Sequence, residues 1–362
     1  MSSDRLVQLR RLFPEYEIDS IIIGSPANRR YLSGFTGSAG WLIITGNYAF
    51  LAVDFRYVEQ ARHETSGFEI CHVKDDFSLW FAKLFPEMQM ARVGIESEHI
   101  THSFYQHLAQ VLKQQDCKTQ LVPIKNVVES LRIKKDRDEL SHIKEACKIA
   151  DQAIGYATIT MNPGMTEKQV AWELESFIRQ NGSGTLPFEI IVASGPNSAL
   201  PHARPTERLI QPGEPITIDL GTRANGYCSD ITRTFFIGKE DTNFNKIYNI
   251  VLAAQSTALS MIRPSAEASY IDSLARSIID NAGYAELFGH GLGHGVGLET
   301  HESPRLGTRS TDILQEGMVF TVEPGIYIPG WGDIRIEDTV AIEGGNLVML
   351  TNANKVARIK GG

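Results

Sequence analysis

Two stretches in the second half of the chain carry one pattern about a hundred residues apart, and no other feature limits the fold as strongly. After Pro163, the Thr166-x-x-Gln169 pattern opens an amphipathic stretch to Asn181, a capping box that satisfies free N–H groups at a helix start. Its apolar positions Val170, Leu174, Phe177 and Ile178 return 101 residues later as Ile271, Ala275, Ile278 and Ile279, with Pro163 returning as Pro264 and Gly182 as Gly283. The run from Gln211 to Gly221 (QPGEPITIDLG) then returns as Gln315 to Gly325 (QEGMVFTVEPG), now at an offset of 104. The change in offset is one lengthened loop. Each half reads helix, helix, strands, and two such halves predict a pseudo-twofold domain with strands inside and helices outside.

The rest of the chain sets the frame. At 362 residues the chain exceeds what one core sustains, so two domains are expected. The first ~125 residues alternate strands and helices. Ser20–Gly24 and Arg92–Glu96 read as short buried strands, Trp41–Thr45 and Tyr48–Val53 as a hairpin about Gly46-Asn47, and Phe55–Glu64 and Ser103–Gln114 as helices. The pattern changes in the charged stretch before a long helix, which places an N-terminal α/β domain at 1–128 and a C-terminal domain at 129–362. A formal net charge of −8 leaves no basic excess for nucleic acid. No segment approaches ~18 uninterrupted apolar residues, so no membrane span is expected. Four scattered cysteines without a CxxC pair fit a reducing cytoplasm.

The duplication repeats carboxylates. Asp219 and Glu323 end equivalent strands, and each is followed by a turn and a second carboxylate: Asp230 past Asn225-Gly226, and Glu337 past the Pro329–Gly332 turn. Returning strands at these spacings bring each pair roughly opposite, and the pseudo-twofold points both pairs at one centre. Four carboxylates cannot share a dry centre without cations, because desolvation and repulsion cost many kcal/mol. The alternative is four solvated turn formers, against which stand the apolar strands running directly into them.

Six of the ten histidines (His63, His72, His99, His102, His107, His142) fall in polar or helical contexts where surface or core duty suffices. The other four are His202, in a Pro-rich segment, and His290, His294 and His301, in the glycine-punctuated run HGLGHGVGLETHE. The glycines do not stand between a strand and a helix, so a phosphate loop is not indicated. One imidazole joining four carboxylates makes a hard, oxygen-rich site for two divalent ions, favouring Mn²⁺ or Co²⁺ with Zn²⁺ or Fe²⁺ also accommodated. Two such ions suit metal-assisted amide hydrolysis.

These residues resemble a known family. The segments around Pro201-His202, Asp219, Asp230 (SDITRT), His294–His301 (GHGVGLETHE), Glu323 (TVEPG) and Arg335–Glu337 (RIEDT) are similar, in order, to the creatinase/aminopeptidase (pita-bread) family, within it the Xaa-Pro peptidases aminopeptidase P and prolidase. The resemblance implies a small creatinase-like α/β domain followed by a pseudo-twofold pita-bread domain. It implies that Asp219, Asp230, His294, Glu323 and Glu337 bind a dinuclear centre, with Asp230 and Glu337 bridging. Glu323 would also move the proton of a metal-bridged water. His202 and His301 would hold the substrate carbonyl and the oxyanion, and His290 would line the pocket. Arg335 would steady Glu337 beside the substrate. The expected activity is hydrolysis of an N-terminal Xaa-Pro bond by an aminopeptidase, with the Xaa-Pro dipeptidase (prolidase) as alternative and a non-catalytic peptide binder as remote third. The expected form is a cytoplasmic homodimer with no nucleic-acid or membrane partner.

Overall fold

The computed structural model describes residues 2–239, 241–355 and 358–359. The chain divides into two compact units, Met1–Arg132 and Ile133–Gly362.

The first unit holds a six-stranded sheet of Ser20–Ile23 (β1), Trp41–Thr45 (β2), Ala49–Val53 (β3), Glu69–His72 (β4), Arg92–Glu96 (β5) and Gln120–Ile124 (β6), in the order β4-β3-β2-β1-β5-β6. β1 is a continuous apolar run because it is covered on both faces: Ile21, Ile22 and Ile23 are all fully buried. The β2–β3 hairpin turns where expected, with the Thr45 hydroxyl accepting from the N–H groups of Asn47 and Tyr48. The accompanying helices are Ser2–Leu12 (α1), Pro26–Ser33 (α2), Val58–Glu64 (α3), Phe77–Glu87 (α4), His102–Gln114 (α5) and Val127–Arg132 (α6). α3 starts three residues later than its periodicity predicts. The Asp54 carboxylate accepts from the Arg56 N–H, and the Asp54 carbonyl accepts from the Tyr57 N–H, so a turn occupies those positions.

The second unit is built twice over. Arg137–Thr160 (α7) and Glu167–Gln180 (α8) precede Ile191–Ser194 (β7), Pro215–Leu220 (β8), Arg223–Ala224 (β9), Tyr227–Cys228 (β10) and Ile231–Ile237 (β11). Thr242–Met261 (α9) and Ala268–Asn281 (α10) precede Gly293–Gly295 (β12), Glu302–Leu306 (β13), Val319–Val322 (β14), Gly325–Ile328 (β15), Gly332–Arg335 (β16), Asp338–Glu343 (β17) and Asn346–Met349 (β18). Arg358–Ile359 (β19) pairs with β11. One sheet runs β19-β11-β8-β7 and the other β13-β12-β14-β17-β18. The triplets β7-β8-β11 and β12-β14-β17 are both antiparallel and match in order.

Each helix pair covers its own sheet, so the unit has two apolar cores. One packs Ile154, Leu174 and Ile178 against Ile216, Ile218 and Phe235; the other packs Val251, Ile271 and Ile279 against Phe320, Val340 and Ile342. The seam between the sheets is polar. Thr232 Oγ1 donates to Glu337 Oε2 at 2.6 Å, and Thr339 Oγ1 donates to the Asp230 carbonyl at 2.7 Å, so each half braces the other's acidic residue. Among the described residues no helix is long and apolar enough to cross a membrane.

Candidate metal centre and substrate cavity

Both carboxylate pairs sit at the ends of the central strands. In the β14–β17 register Val322 faces Asp338, so Glu323 and Glu337 continue that ladder opposite one another. In the β8–β11 register Asp219 faces Thr232, which places Asp230 two residues beyond it. The first pair is therefore offset, not opposite. The connection through β9 and β10 accounts for this: Asn225 (φ 44°) and Gly226 (φ 81°) form the left-handed turn expected there, but the ribbon ends at Cys228, short of Asp230.

His294 lies on β12, where the chain passes so close to its neighbours that only glycine fits beside it. A Cβ at Gly293 would run into the Thr321 carbonyl, and one at Gly295 into that of Ser303. His294 Nδ1 lies 3.1 Å from the Gly295 carbonyl, an acceptor that requires the proton on that nitrogen. The lone pair of Nε2 is thereby aimed at Glu323 Oε1 at 3.3 Å and Asp230 Oδ2 at 3.7 Å. Ligand atoms of Asp230, His294 and Glu337 all lie within 4.8 Å of one another. Arg335 Nη2 donates to Asp219 Oδ2 at 2.7 Å, while Asp219 Oδ1 is buried without a hydrogen-bond partner. Arg335 reaches Glu337 indirectly, through Nε donating to Thr232 Oγ1 at 3.2 Å.

Burial, then the charges of Glu337, Asp219 and Glu323, holds the Asp230 carboxyl well above the usual range. Burial, then Glu323 and Asp219, does the same to Glu337. Burial also raises Glu323. Like charges at this spacing repel by on the order of 3 kcal/mol per pair at an effective dielectric near 20. Among the described residues Arg335 is the one guanidinium or ammonium paired with the side-chain carboxylate of Asp219, Asp230, Glu323 or Glu337. An acceptor-only cluster with an orphaned buried carboxylate oxygen and an imidazole lone pair aimed into it fits divalent cations.

These residues open into one cavity of about 890 Å³, also lined by His202, His290, His301, Arg305, Tyr327 and Arg335. The His301 ring lies 4.2 Å from that of His294, centroid to centroid. Burial, then His294, brings the His301 imidazole down to about 4. His202 is exposed on the loop after Ser194. Glu167, fully buried at the start of α8, clamps both ends of that loop, accepting from the N–H and hydroxyl of Ser194 and of Thr206. His290 Nδ1 meets the Gly291 carbonyl and Nε2 the Tyr327 hydroxyl, each at 2.8 Å, and Arg335 Nη1 donates to that hydroxyl at 3.0 Å. Tyr327, Arg305 and Glu167 are absent from the residues singled out in the sequence. Tyr327 alone had a local signal, standing four residues beyond Glu323 on a strand bound for the centre.

Residues 141–344 match Metallopeptidase family M24, and residues 5–134 match the Creatinase/Prolidase N-terminal domain. A Xaa-Pro dipeptidase of Pyrococcus furiosus is 37% identical over 353 residues, covering 97% of this chain and 99% of that protein. The solved structure of a Xaa-Pro dipeptidase from Bacillus anthracis superposes with a TM-score of 0.95 at 39% identity, covering 99% of this chain and 100% of the other. That of an X-Pro aminopeptidase from Thermotoga maritima superposes with a TM-score of 0.88 at 35% identity, covering 97% and 99%.

Proposed function

Since the chain belongs to metallopeptidase family M24, here joined to a creatinase/prolidase N-terminal domain, we propose that it hydrolyses the bond between a first residue and a following proline. The observation that carries this reading is the convergence of Asp219, Asp230, His294, Glu323 and Glu337 in one cavity with His202, His290 and His301. The five would hold two divalent ions, Mn²⁺ foremost with Co²⁺ or Zn²⁺ as substitutes. Asp230 and Glu337 would serve both ions, Asp219 one, and His294 and Glu323 the other. When bound, the ions supply Lewis-acid polarisation of the scissile carbonyl and activation of water.

The chain's own groups do the rest. Glu323, whose burial raises its proton affinity, accepts a proton from the attacking water as oxygen bonds to the carbonyl carbon. It returns that proton to the proline nitrogen as the C–N bond breaks. His301 is uncharged at neutral pH and, with His202, donates N–H hydrogen bonds to the carbonyl oxygen as negative charge develops there. Arg335 orients Asp219 and, through Tyr327, the His290 ring that faces the substrate. The active form is a cytoplasmic homodimer.

Of the two substrate lengths, the dipeptide has a specific feature in its favour. Arg305 lines the cavity, and among the described residues its guanidinium makes no hydrogen bond or ion pair. The free carboxylate of a C-terminal proline is the group that would match it. The aminopeptidase reading is favoured by the cavity's 890 Å³, which is ample for residues beyond the proline. The deciding assay compares Xaa-Pro dipeptides with Xaa-Pro-Yaa tripeptides in Mn²⁺, for the wild type and Arg305→Met. Loss of a charge-assisted contact should raise KM for dipeptides roughly 10–100-fold and leave tripeptides unaffected. Preferential cleavage of tripeptides moves the assignment to the aminopeptidase, and equal cleavage of Xaa-Ala substrates ends both readings.

A further inference from the structure

One buried ion pair in the second unit has no part in the chemistry above. Lys135 Nζ and Glu302 Oε2 lie 3.1 Å apart, with side chains only 1% and 7% exposed. Lys135 stands two residues before α7, and Glu302 follows His301 directly. Buried pairs of this kind add little net stability, since desolvation offsets their attraction. What this pair organises is a turn.

The Glu302 carboxylate is the core of that turn. Its Oε1 accepts from the Glu299 N–H at 3.0 Å. It lies flat on Gly297, where a Cβ would stand 2.5 Å from Oε2, so any other residue there would push the carboxylate aside. The Gly297 N–H in turn donates to the Glu299 carbonyl at 3.0 Å, closing residues 297–302 around the carboxylate. Lys135 is itself fixed, its N–H donating to the Gly317 carbonyl at 2.8 Å and its ammonium to the Ile133 carbonyl at 3.4 Å. The turn meets the centre twice. The Cys228 N–H, two residues ahead of Asp230, donates to the Gly297 carbonyl at 2.7 Å, and His301 projects from the turn to lie tilted against the His294 ring.

We propose that Glu302, anchored by Lys135, is a positioning residue that fixes the 297–302 turn and so aims the His301 imidazole into the cavity. The carboxylate touches neither substrate nor metal ligand and acts through His301. This inference rests on the reading in which His301 bonds the substrate carbonyl, and the test separates the two.

Three full-length variants are compared with Mn²⁺ present: Glu302→Met, which removes the acceptor and the anchor; Glu302→Met with Lys135→Met, which also removes the lone buried ammonium; and Glu302→Gln, which keeps an acceptor for Glu299. The readouts are kcat and KM on a Xaa-Pro substrate, Mn²⁺ affinity by calorimetry, melting temperature, and, on protein loaded with diamagnetic Zn²⁺ in place of Mn²⁺, the His301 ring resonances of ¹³C-histidine-labelled protein at fixed pH. Both Met variants should displace the His301 resonance and lower kcat by about 10²-fold, the scale of a misplaced group. KM and Mn²⁺ affinity should stay close to wild type, because no metal ligand changes. The double variant should regain melting temperature but not kcat, and Glu302→Gln should restore most of the turnover. Should Glu302→Met fail to fold, the double variant, free of the unpaired charge, carries the same comparison. A His301 resonance unmoved in the Met variants overturns the positioning role, as does a double variant in which kcat recovers together with melting temperature. If His301→Ala keeps wild-type turnover, the catalytic reading of His301 fails instead, while a displaced resonance still upholds the positioning.

Discussion

His294 and His301 stand ring against ring and yet are assigned opposite work, one to a cation and one to a carbonyl oxygen. Their substitutions should therefore part company. His294→Ala should lose metal and activity together, read by metal analysis and turnover on one sample. His202→Ala and His301→Ala should keep their metal and lose about 10²–10³ in kcat, with a smaller change in KM. Near-wild-type turnover in His301→Ala would withdraw its role. Asp230→Ala and Glu337→Ala should bind metal more weakly than Asp219→Ala, because each is assigned to both ions, and calorimetry with Mn²⁺ ranks the three. At this scale the sequence was readable wherever a signal was local, as in the glycine-punctuated histidine run and the repeated strand ends. Arg305 gave none, being an ordinary exposed arginine until the fold turned it into the cavity. Glu302 and Lys135, 167 residues apart, meet only after folding.

Among the elements, the starts of helices carry the most concentrated information. The Thr166–Gln169 capping box forms as its spacing predicts, whereas in its repeat, α10, the N-cap residue Glu267 makes no side-chain cap, so the duplication preserved the apolar face and not the cap. Glu167 does a different job there, tying down the loop that carries His202. Glu167→Gln would turn an amide donor toward N–H groups, costing about 1–3 kcal/mol for a buried polar group left unpaired. A fall in melting temperature together with a fall in kcat would report both consequences, while an unchanged kcat would detach the loop from catalysis. In the first unit, Glu96 accepts from the N–H groups of Gly24 and Ser25 and from Asn28 Nδ2 at the start of α2. Burial nonetheless raises its carboxyl above the ordinary value. The folded state therefore holds this proton to higher pH than the unfolded chain does, and the site's contribution to stability shrinks as pH rises through the interval between the two values. The melting temperature of wild type relative to Glu96→Gln should fall across that interval, and a gap that widens with pH would refute the assignment.

At the scale of the second unit, apolar burial and charge are segregated: two oily cores on the outside and an acidic seam between the sheets. Removing divalent metal should destabilise that seam first. A ligand at a hundred times its Kd stabilises by about 2.7 kcal/mol, so chelation should lower the transition of this unit. In hydrogen exchange the loss of protection should centre on β8, β11, β14 and β17, leaving β1–β6 unchanged; uniform loss over both units would contradict this. The seam was legible in outline, because two repeats with acidic strand ends imply a charged junction. Its bracing by Thr232 and Thr339 was not, since a threonine in a strand has no distinguishing pattern. That reciprocal bracing has a historical consequence. A chain of half this length would carry only two of the four carboxylates and would leave one acidic sheet edge bare. Two copies of it, meeting about a true dyad, would supply the missing pair and each other's threonines. The duplicated chain is then a dimer made covalent, and once joined its halves were free to diverge, so that one could add the imidazole of His294 to the centre while the other supplied only acids to it.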